Sequence, residues 1–169
     1  MIHKPDFYYK DIFSINYNSL KNNNIKILLF DIDNTIGDDR KKEPDNKDIK
    51  LFNTLKNDFN IILFSNALPY RVKRYANVLG IKDYYSLASK PLSYKYKKII
   101  NKYNTSSNNI AAIGDQLYTD IKGANKIGIT SILVDKISNN ESIIPKINRY
   151  RENRIIKKYN LLERGKYND

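Results

Sequence analysis

Short apolar runs alternate with longer polar segments along most of the chain. Five of the apolar runs predict strands, at residues 25–30, 61–64, 84–88, 109–113 and 130–134. The segments between them have the length and pattern of helices, at 46–58, 69–79, 92–103 and 117–127. Continuous apolar strands that alternate with crossover helices are typical of a parallel sheet covered on both faces. The pattern therefore predicts an α/β fold built on a five-stranded parallel sheet.

The segment 145–169 departs from this alternation. It begins at Pro145 and predicts a basic, partly amphipathic helix, with eight Lys or Arg against three Asp or Glu. One interpretation is a terminal helix whose apolar residues pack on the core. The other is an interface with anionic lipid or with another subunit. Because 169 residues is the size of one domain, we predict a single domain over 1–169 with 145–169 as a C-terminal helical tail.

The composition excludes several kinds of chemistry. The chain has no cysteine, which rules out a disulfide framework, a thiol nucleophile and a thiolate zinc site, and it has one histidine, His3. Catalysis must then use carboxylates, hydroxyls, lysines or a hard metal bound by oxygen. The first residues lack an apolar core of signal-peptide length, and no apolar stretch approaches the roughly 20 residues of a spanning helix. We expect a cytoplasmic chain.

Polar side chains follow four of the five predicted strands. In an open parallel sheet, ligands bind beyond the carboxyl ends of the strands, so these side chains should converge on one site. In chain order they are Asp31 and Asp33, Ser65 and Asn66, Lys90, and Asp115 with Asp120. Four carboxylates create the oxygen-rich surroundings that magnesium prefers. The alternative for the first pair is that Asp33, Asn34 and Thr35 merely form a turn and a helix cap.

These residue types suit phosphoryl transfer. With a metal ion to offset the charge, one aspartate of the run LLFDIDNT can attack phosphorus, and the other can protonate the leaving oxygen and later deprotonate water. The phosphoryl oxygens require donors and cations, which Ser65 and Lys90 can supply. Taken singly, Ser65 would be interpreted as a helix cap and Lys90 as a solvated surface lysine.

The same residues resemble the four motifs of the haloacid dehalogenase (HAD) superfamily. DIDNT resembles the first motif, Ser65 the second, Lys90 in SKP the third and GDQLYTD the acidic fourth. The resemblance implies a Rossmann-like fold, with Asp31 as the nucleophile and Asp33 as the general acid and base. It further implies phosphate-binding residues and ligands for Mg²⁺. The phosphate-binding residues are Thr35, Ser65, Asn66 and Lys90, and the magnesium ligands are Asp31, Asp33 and Asp115, with Asp120 supporting the metal site.

A closer resemblance is to the YqeG branch of subfamily IIIA, whose members are capless phosphatases. Its marks here include RVKRYANVLG, ASKP and INRYRE. Relatives of this branch include mitochondrial phosphatidylglycerophosphate phosphatases, so the resemblance implies that lipid head group as the substrate. The run GDDRKKEP departs from the branch, in which we expect a more apolar segment with a tryptophan.

The spacing of the motifs independently predicts an uncapped site. About ten residues separate Asn34 from the helix that is predicted to start near Asp45, and residues 66–89 already contain a helix and a strand. Neither interval has room for a cap domain. An open site suits a phosphate on a macromolecule or a membrane surface better than a small metabolite that must be enclosed.

The motifs thus predict a magnesium-dependent phosphomonoesterase that forms an aspartyl-phosphate, and the resemblance to the YqeG branch implies that it converts phosphatidylglycerophosphate to phosphatidylglycerol. A phosphatase of soluble nucleotide, sugar or protein phosphates is the rival among enzymes. A basic RNA- or ribosome-binding protein is the rival of another class, since the net charge is +12 and there are 14 tyrosines. Four clustered aspartates would repel RNA, which disfavours nucleic acid as a partner.

The net charge also fits an anionic membrane surface. We therefore expect a cytoplasmic protein that also makes peripheral contact with the inner face of the membrane. A base-composition bias in the coding DNA is the alternative origin of the charge, because Lys, Asn, Ile and Tyr are all abundant. The sequence makes no prediction of oligomeric state.

Overall fold

The computed structural model describes residues 2–38 and 40–137, together with Arg154. Its strands are β1 (Phe7–Tyr9), β2 (Ile27–Phe30), β3 (Asn60–Phe64), β4 (Asp83–Tyr85), β5 (Ile110–Gly114) and β6 (Thr130–Val134). Its α-helices are α1 (Tyr17–Asn22), α2 (Asn46–Leu55), α3 (Pro69–Leu79), α4 (Tyr94–Lys102) and α5 (Lys122–Asn125). A 3₁₀ turn at Ser107–Asn109 and a π-helical turn at Leu117–Ile121 complete the described elements. The predicted tail at 145–169 lies outside the described residues, apart from Arg154.

The strands form one parallel sheet in the order β1-β6-β5-β2-β3-β4. This confirms the predicted α/β fold, and all five predicted strands are present. The prediction of five strands was wrong by one, because β1 was missed. β1 is a three-residue edge strand that pairs with β6 alone, and so short a segment shows no apolar run or alternation that would identify it.

The two strands at the centre of the sheet, β2 and β5, contain only apolar residues and glycine, because helices cover both faces of the sheet. Leu28 and Phe30 point to the face packed by α2 and α3, where the Phe30 and Phe52 ring centroids lie 4.8 Å apart. Ile27 and Leu29 point to the opposite face, which α4 and α5 cover. This packing on two sides turns the apolar runs of the sequence into a buried central sheet.

The strand order reverses between β2 and β5. From β2 the chain adds β3 and β4 on one side, and it then crosses back to place β5 and β6 on the other. In such a sheet the carboxyl ends of the two strands at the reversal border a natural ligand crevice. The fold therefore positions the residues that follow β2 and β5 side by side.

The described loops at this edge of the sheet are short. Between Asp33 and α2 the chain forms a tight turn and a loop, and Asp45 then caps α2 by accepting from the N3 backbone while Asp48 accepts from the Asp45 N–H. The interval between β3 and Lys90 is filled by α3 and β4. Among the described residues, neither of these intervals contains a cap domain, as the capless prediction requires. In the part of the chain that the structure describes, every helix is too short or too polar to cross a bilayer.

Candidate active site

Three buried carboxylates meet where the strand order reverses. Asp31 follows β2, Asp115 follows β5, and Asp120 lies on the π-helical turn after β5. One carboxylate oxygen from each residue lies within 4.8 Å of the other two. The backbone N–H of Asp31 donates to the Ile113 carbonyl at 2.9 Å, so the pairing of β2 with β5 extends as far as Asp31. The geometry therefore brings three of the predicted carboxylates to one point.

Gly114, the last residue of β5, makes room for Asp120. A Cβ at this position would lie 2.3 Å from the Asp120 Cγ. The π-helical turn directs the Asp120 side chain back toward the strand end, where its Oδ2 accepts from the Gln116 backbone N–H at 3.2 Å. Only glycine at the end of the strand permits so close an approach.

Lys90 places its ammonium group between two of these carboxylates. Its Nζ donates to Asp31 Oδ1 at 2.6 Å and to Asp120 Oδ1 at 2.5 Å. Burial alone would lower the pKa of Lys90, but the charges of Asp120 and Asp31 outweigh it and the pKa is raised. Asn66 holds the lysine backbone, since Asn66 Oδ1 accepts from the Lys90 N–H at 2.9 Å and Asn66 Nδ2 donates to the Lys90 carbonyl at 3.3 Å. Lys90 is thus a fixed, buried cation.

This cluster carries a net negative charge. Three carboxylates and one ammonium carry −3 + 1 = −2 when all are ionised. Burial raises the pKa of Asp120 to about 6 against the opposing effect of Lys90. The donor atoms are all oxygens, and hard divalent cations such as Mg²⁺ are bound by carboxylates of this kind. The residues present therefore fit a magnesium ion in both charge and chemistry.

Asp33 lies outside the three-carboxylate group, although the sequence predicts it as a fourth metal ligand. Its Oδ1 accepts from Arg71 Nε at 2.6 Å. Burial and the nearby charge of Asp31 raise the pKa of Asp33, while Arg71 acts in the opposite direction. The structure thus separates the second aspartate of DIDNT from the other carboxylates by pairing it with a cation.

The same arginine also holds the loop that follows Asp33. Arg71 Nη1 donates to the Lys41 carbonyl at 2.6 Å, and Nη2 donates to the Asp38 carbonyl at 2.7 Å. The guanidinium carbon lies 5.0 Å from the centroid of the Tyr75 ring. A single side chain of α3 therefore restrains both Asp33 and the short loop after it. This loop is one of the two intervals in which a cap domain could be inserted.

The two predicted phosphate-binding hydroxyls are buried at the same edge. Ser65 directly follows β3, and its Oγ accepts from the Ala67 N–H at 3.2 Å, so it also caps a turn. Thr35 lies in the turn after Asp33, and its Oγ1 has no hydrogen-bond partner among the described residues. The amide of Asn66, the remaining predicted phosphate ligand beside Lys90, is occupied by the lysine backbone. We therefore assign Asn66 to positioning Lys90.

Arg71 is the site residue that sequence reasoning missed. It belongs to the run RVKRYANVLG, which contains three cations that sequence alone does not distinguish. Only the adjacency of β2 and β3, which sets the start of α3 beside Asp33, shows that Arg71 and not Lys73 or Arg74 faces the site.

Comparisons with known proteins show the family to which the chain belongs. Residues 87–158 match the family described as HAD-hydrolase-like. "Probable phosphatase YqeG" from Bacillus subtilis (strain 168) is 31% identical over 153 residues, which cover 90% of this chain and 88% of that protein. The chain belongs to the YqeG family of HAD phosphatases. The resemblance inferred from the motifs is thereby confirmed.

Solved structures show the same fold. A HAD phosphatase from Thermococcus onnurineus has a TM-score of 0.56 at 12% identity, covering 70% of this chain and 90% of that chain. A 3-deoxy-D-manno-octulosonate 8-phosphate phosphatase from Yersinia pestis has a TM-score of 0.55 at 20% identity, covering 75% of this chain and 71% of that chain. At these identities the likeness concerns the fold, and it confirms the HAD architecture of this YqeG-family chain.

Replacing Arg71 should destabilise this YqeG-family protein. The substitution Arg71→Gln removes the ion pair with Asp33 and the two charge-assisted hydrogen bonds to loop carbonyls, so we expect the free energy of unfolding to fall by about 2–4 kcal/mol. Urea denaturation measures the change. Arg74→Gln is the matched control, because Arg74 lies exposed on the same helix and should change stability by less than about 0.5 kcal/mol. Equal effects of the two substitutions would contradict the structural role of Arg71.

Proposed function

We propose that this YqeG-family phosphatase is a magnesium-dependent phosphomonoesterase that forms an aspartyl-phosphate on Asp31 and dephosphorylates phosphatidylglycerophosphate to phosphatidylglycerol. The observation that carries the chemistry is the Asp31–Lys90–Asp120 bridge, with the Asp115 carboxylate beside it. The proposed nucleophile, a buried cation and the carboxylates that would bind the metal thus lie together at one edge of the sheet. Membership of a phosphatase family favours this enzyme over the RNA- or ribosome-binding alternative.

The first chemical step uses Asp31 and Asp33. A carboxylate oxygen of Asp31 attacks phosphorus, and the bond between phosphorus and the leaving oxygen breaks. The carboxyl group of Asp33 gives its proton to that oxygen, so the product leaves as an alcohol. Lys90 holds Asp31 Oδ1 at 2.6 Å, which restrains the orientation of the attacking carboxylate.

In the second step Asp33 acts as a base. Its carboxylate takes a proton from a water molecule whose oxygen attacks phosphorus. The bond between phosphorus and Asp31 then breaks, which restores the Asp31 carboxylate and releases inorganic phosphate. Arg71 holds only Oδ1 of Asp33, so Oδ2 can face the reacting oxygen in both steps.

Asp31, Asp115 and Asp120 would hold the magnesium ion. When bound, Mg²⁺ supplies positive charge that offsets both the carboxylates and the phosphoryl oxygens. The buried hydroxyls of Thr35 and Ser65 offer donors to the phosphoryl group, and Lys90 adds a fixed positive charge.

The open edge supports a substrate whose phosphate is presented on a large surface. The described loops near Asp33 and between β3 and Lys90 are too short to enclose a small metabolite. The YqeG resemblance points to phosphatidylglycerophosphate among such substrates. Soluble nucleotide, sugar and protein phosphates are the alternative substrates of the same chemistry.

Asp31→Asn should abolish turnover while the fold remains intact. The amide preserves the shape of the side chain but cannot act as the nucleophile, so we expect kcat for a soluble aryl phosphate to fall by at least about a thousandfold. Asp58→Asn is the control, because Asp58 pairs with Lys21 on the surface away from the site. Activity above a few per cent of the parent value in a folded Asp31→Asn protein would refute the assignment of the nucleophile.

Removal of divalent metal should abolish activity and lower stability. Chelation should stop turnover, Mg²⁺ should restore it, and Ca²⁺, which is larger and less bound to octahedral geometry, should restore little. Because an ion that binds only the folded state stabilises it, Mg²⁺ should raise the Tm of the parent protein. Asp115→Asn should remove most of that increase. Full activity after exhaustive chelation would contradict the proposed metal dependence.

A substrate comparison tests the lipid assignment. Phosphate release should be measured from phosphatidylglycerophosphate in mixed micelles and from glycerol, sugar and nucleoside monophosphates under the same conditions. We expect the largest kcat/KM for the lipid. A soluble phosphoester with an equal or larger kcat/KM would remove the lipid substrate and leave the phosphatase chemistry in place.

A further inference from the structure

Large apolar and aromatic side chains stand exposed beside the active site, on the side of β3 and β4. These residues, which we call the apolar rim, are Leu68 (54% exposed), Tyr70 (68%), Leu87 (50%), Leu92 (61%) and Tyr94 (75%). They occupy the loops and helix starts that follow β3 and β4. The same segments carry Ser65, Asn66 and Lys90, so the apolar rim and the candidate catalytic groups share one edge of the sheet.

Hydrogen bonds join these segments into one surface. The Leu87 N–H donates to the Ala67 carbonyl at 3.1 Å, which links the loops after β3 and β4. Lys95 Nζ donates to the carbonyls of Ser86 at 2.7 Å and Leu87 at 2.5 Å, which links the start of α4 to the same loop. The exposed side chains are therefore held together by their backbones and are not scattered over the surface.

The chain around the apolar rim carries almost exclusively positive charge. Between residues 66 and 114 the single acidic residue is Asp83, and it is already paired with Lys102. Four exposed cations follow the rim within the first turns of α3 and α4: Lys73, Arg74, Lys97 and Lys98. With a rise of 1.5 Å per helical residue, they lie about 4–6 Å farther along the helix axes than Tyr70 and Tyr94. They are therefore farther from the catalytic edge than the two tyrosines.

We propose that the apolar rim and these four cations dock the catalytic edge on a bilayer that contains anionic phospholipid. Apolar side chains at the tip with cations a few ångströms behind match the layering of a bilayer, in which acyl chains lie below the phosphate groups. The two tyrosines suit the interface between these layers, since each combines an apolar ring with a polar hydroxyl. An acidic protein would match the cations but gives no reason for this layering.

Docking in this orientation would turn the crevice between β2 and β5 toward lipid head groups. The inference rests on the proposed function, because docking would bring an uncapped active site to a phosphate on a membrane. Binding to vesicles is measured without turnover, however, so the docking surface and the lipid substrate can fail separately.

Vesicle sedimentation of the full chain is the first test. The parent protein should bind phosphatidylcholine vesicles that contain 30% phosphatidylglycerol at low ionic strength, and it should bind pure phosphatidylcholine vesicles far less. The double variant Leu87→Ser/Leu92→Ser should bind at least about fivefold more weakly, as expected from the loss of buried apolar area. Ile2→Ser is the matched control, because Ile2 is also exposed but lies beside the amino ends of the strands; it should bind like the parent.

The cations are tested in the same assay. Lys73→Gln/Arg74→Gln and Lys97→Gln/Lys98→Gln should each weaken binding and reduce its dependence on salt. Lys4→Gln/Lys26→Gln, at the amino-end edge, is the control of equal charge change and should have a smaller effect. Turnover of a soluble aryl phosphate should stay within about twofold of the parent value in all these variants, since none of the replaced residues belongs to the proposed chemistry.

Tryptophan fluorescence supplies a readout that does not depend on weakened binding. The chain has no tryptophan, so Leu87→Trp and Leu92→Trp each introduce a single probe. Both should show blue-shifted emission on anionic vesicles and quenching by lipids with brominated acyl chains, whereas Ile2→Trp should show neither. Absence of parent binding at low ionic strength would overturn the proposal. Vesicle binding with unchanged rim fluorescence would overturn it as well, because the contact would then lie on another surface, such as the segment 145–169.

Discussion

The ammonium group of Lys90, held between the carboxylates of Asp31 and Asp120, is the interaction on which the rest of the site depends. All three groups are buried, and a buried charge is tolerated only when it is paired and hydrogen-bonded. The three residues lie in segments that follow three different strands, β2, β4 and β5. Their pairing therefore exists only in the folded sheet. Asp115 adds a further carboxylate, and the resulting excess of negative charge makes the cluster the candidate site for a divalent cation.

A second cation, Arg71, organises the outer half of the site. It separates Asp33 from the central carboxylates and ties it to the loop carbonyls of Asp38 and Lys41. The two halves thus have distinct tasks: the buried half holds the proposed nucleophile and metal ligands, and the half nearer solvent holds the proposed acid and base. The described residues contain no enclosing domain that could restrain this loop. The hydrogen bonds from Arg71 restrain it instead.

The parts of the fold that the sequence predicts are those with a strong local signal. β2 and β5 are apolar at every position because both faces are buried, and polar residues directly after them mark a ligand-binding edge. β1 lacked such a signal because it is three residues long and lies at the sheet edge. The partners of Asp33 and Asn66 could not be predicted either, since both depend on which side chains two neighbouring strands bring together.

The apolar rim illustrates the same limit. Leu68, Leu87 and Leu92 are ordinary apolar residues in the sequence, and only the structure shows that they are exposed and joined at the catalytic edge. Burial, and not hydrophobicity, distinguishes them from core residues such as Leu28 and Leu63. Exposure of this kind depends on the whole fold, so local pattern carries no information about it.

The covalent intermediate at Asp31 is the central claim about the chemistry of this protein. Borohydride reduces an aspartyl-phosphate to homoserine, which peptide mapping by mass spectrometry locates in the chain. The protein should be mixed with substrate, quenched during turnover and then reduced. We expect homoserine in place of Asp31 only when substrate is present, with every other carboxylate unchanged. Rapid phosphate release with an unmodified Asp31, or modification of a different carboxylate, would contradict it.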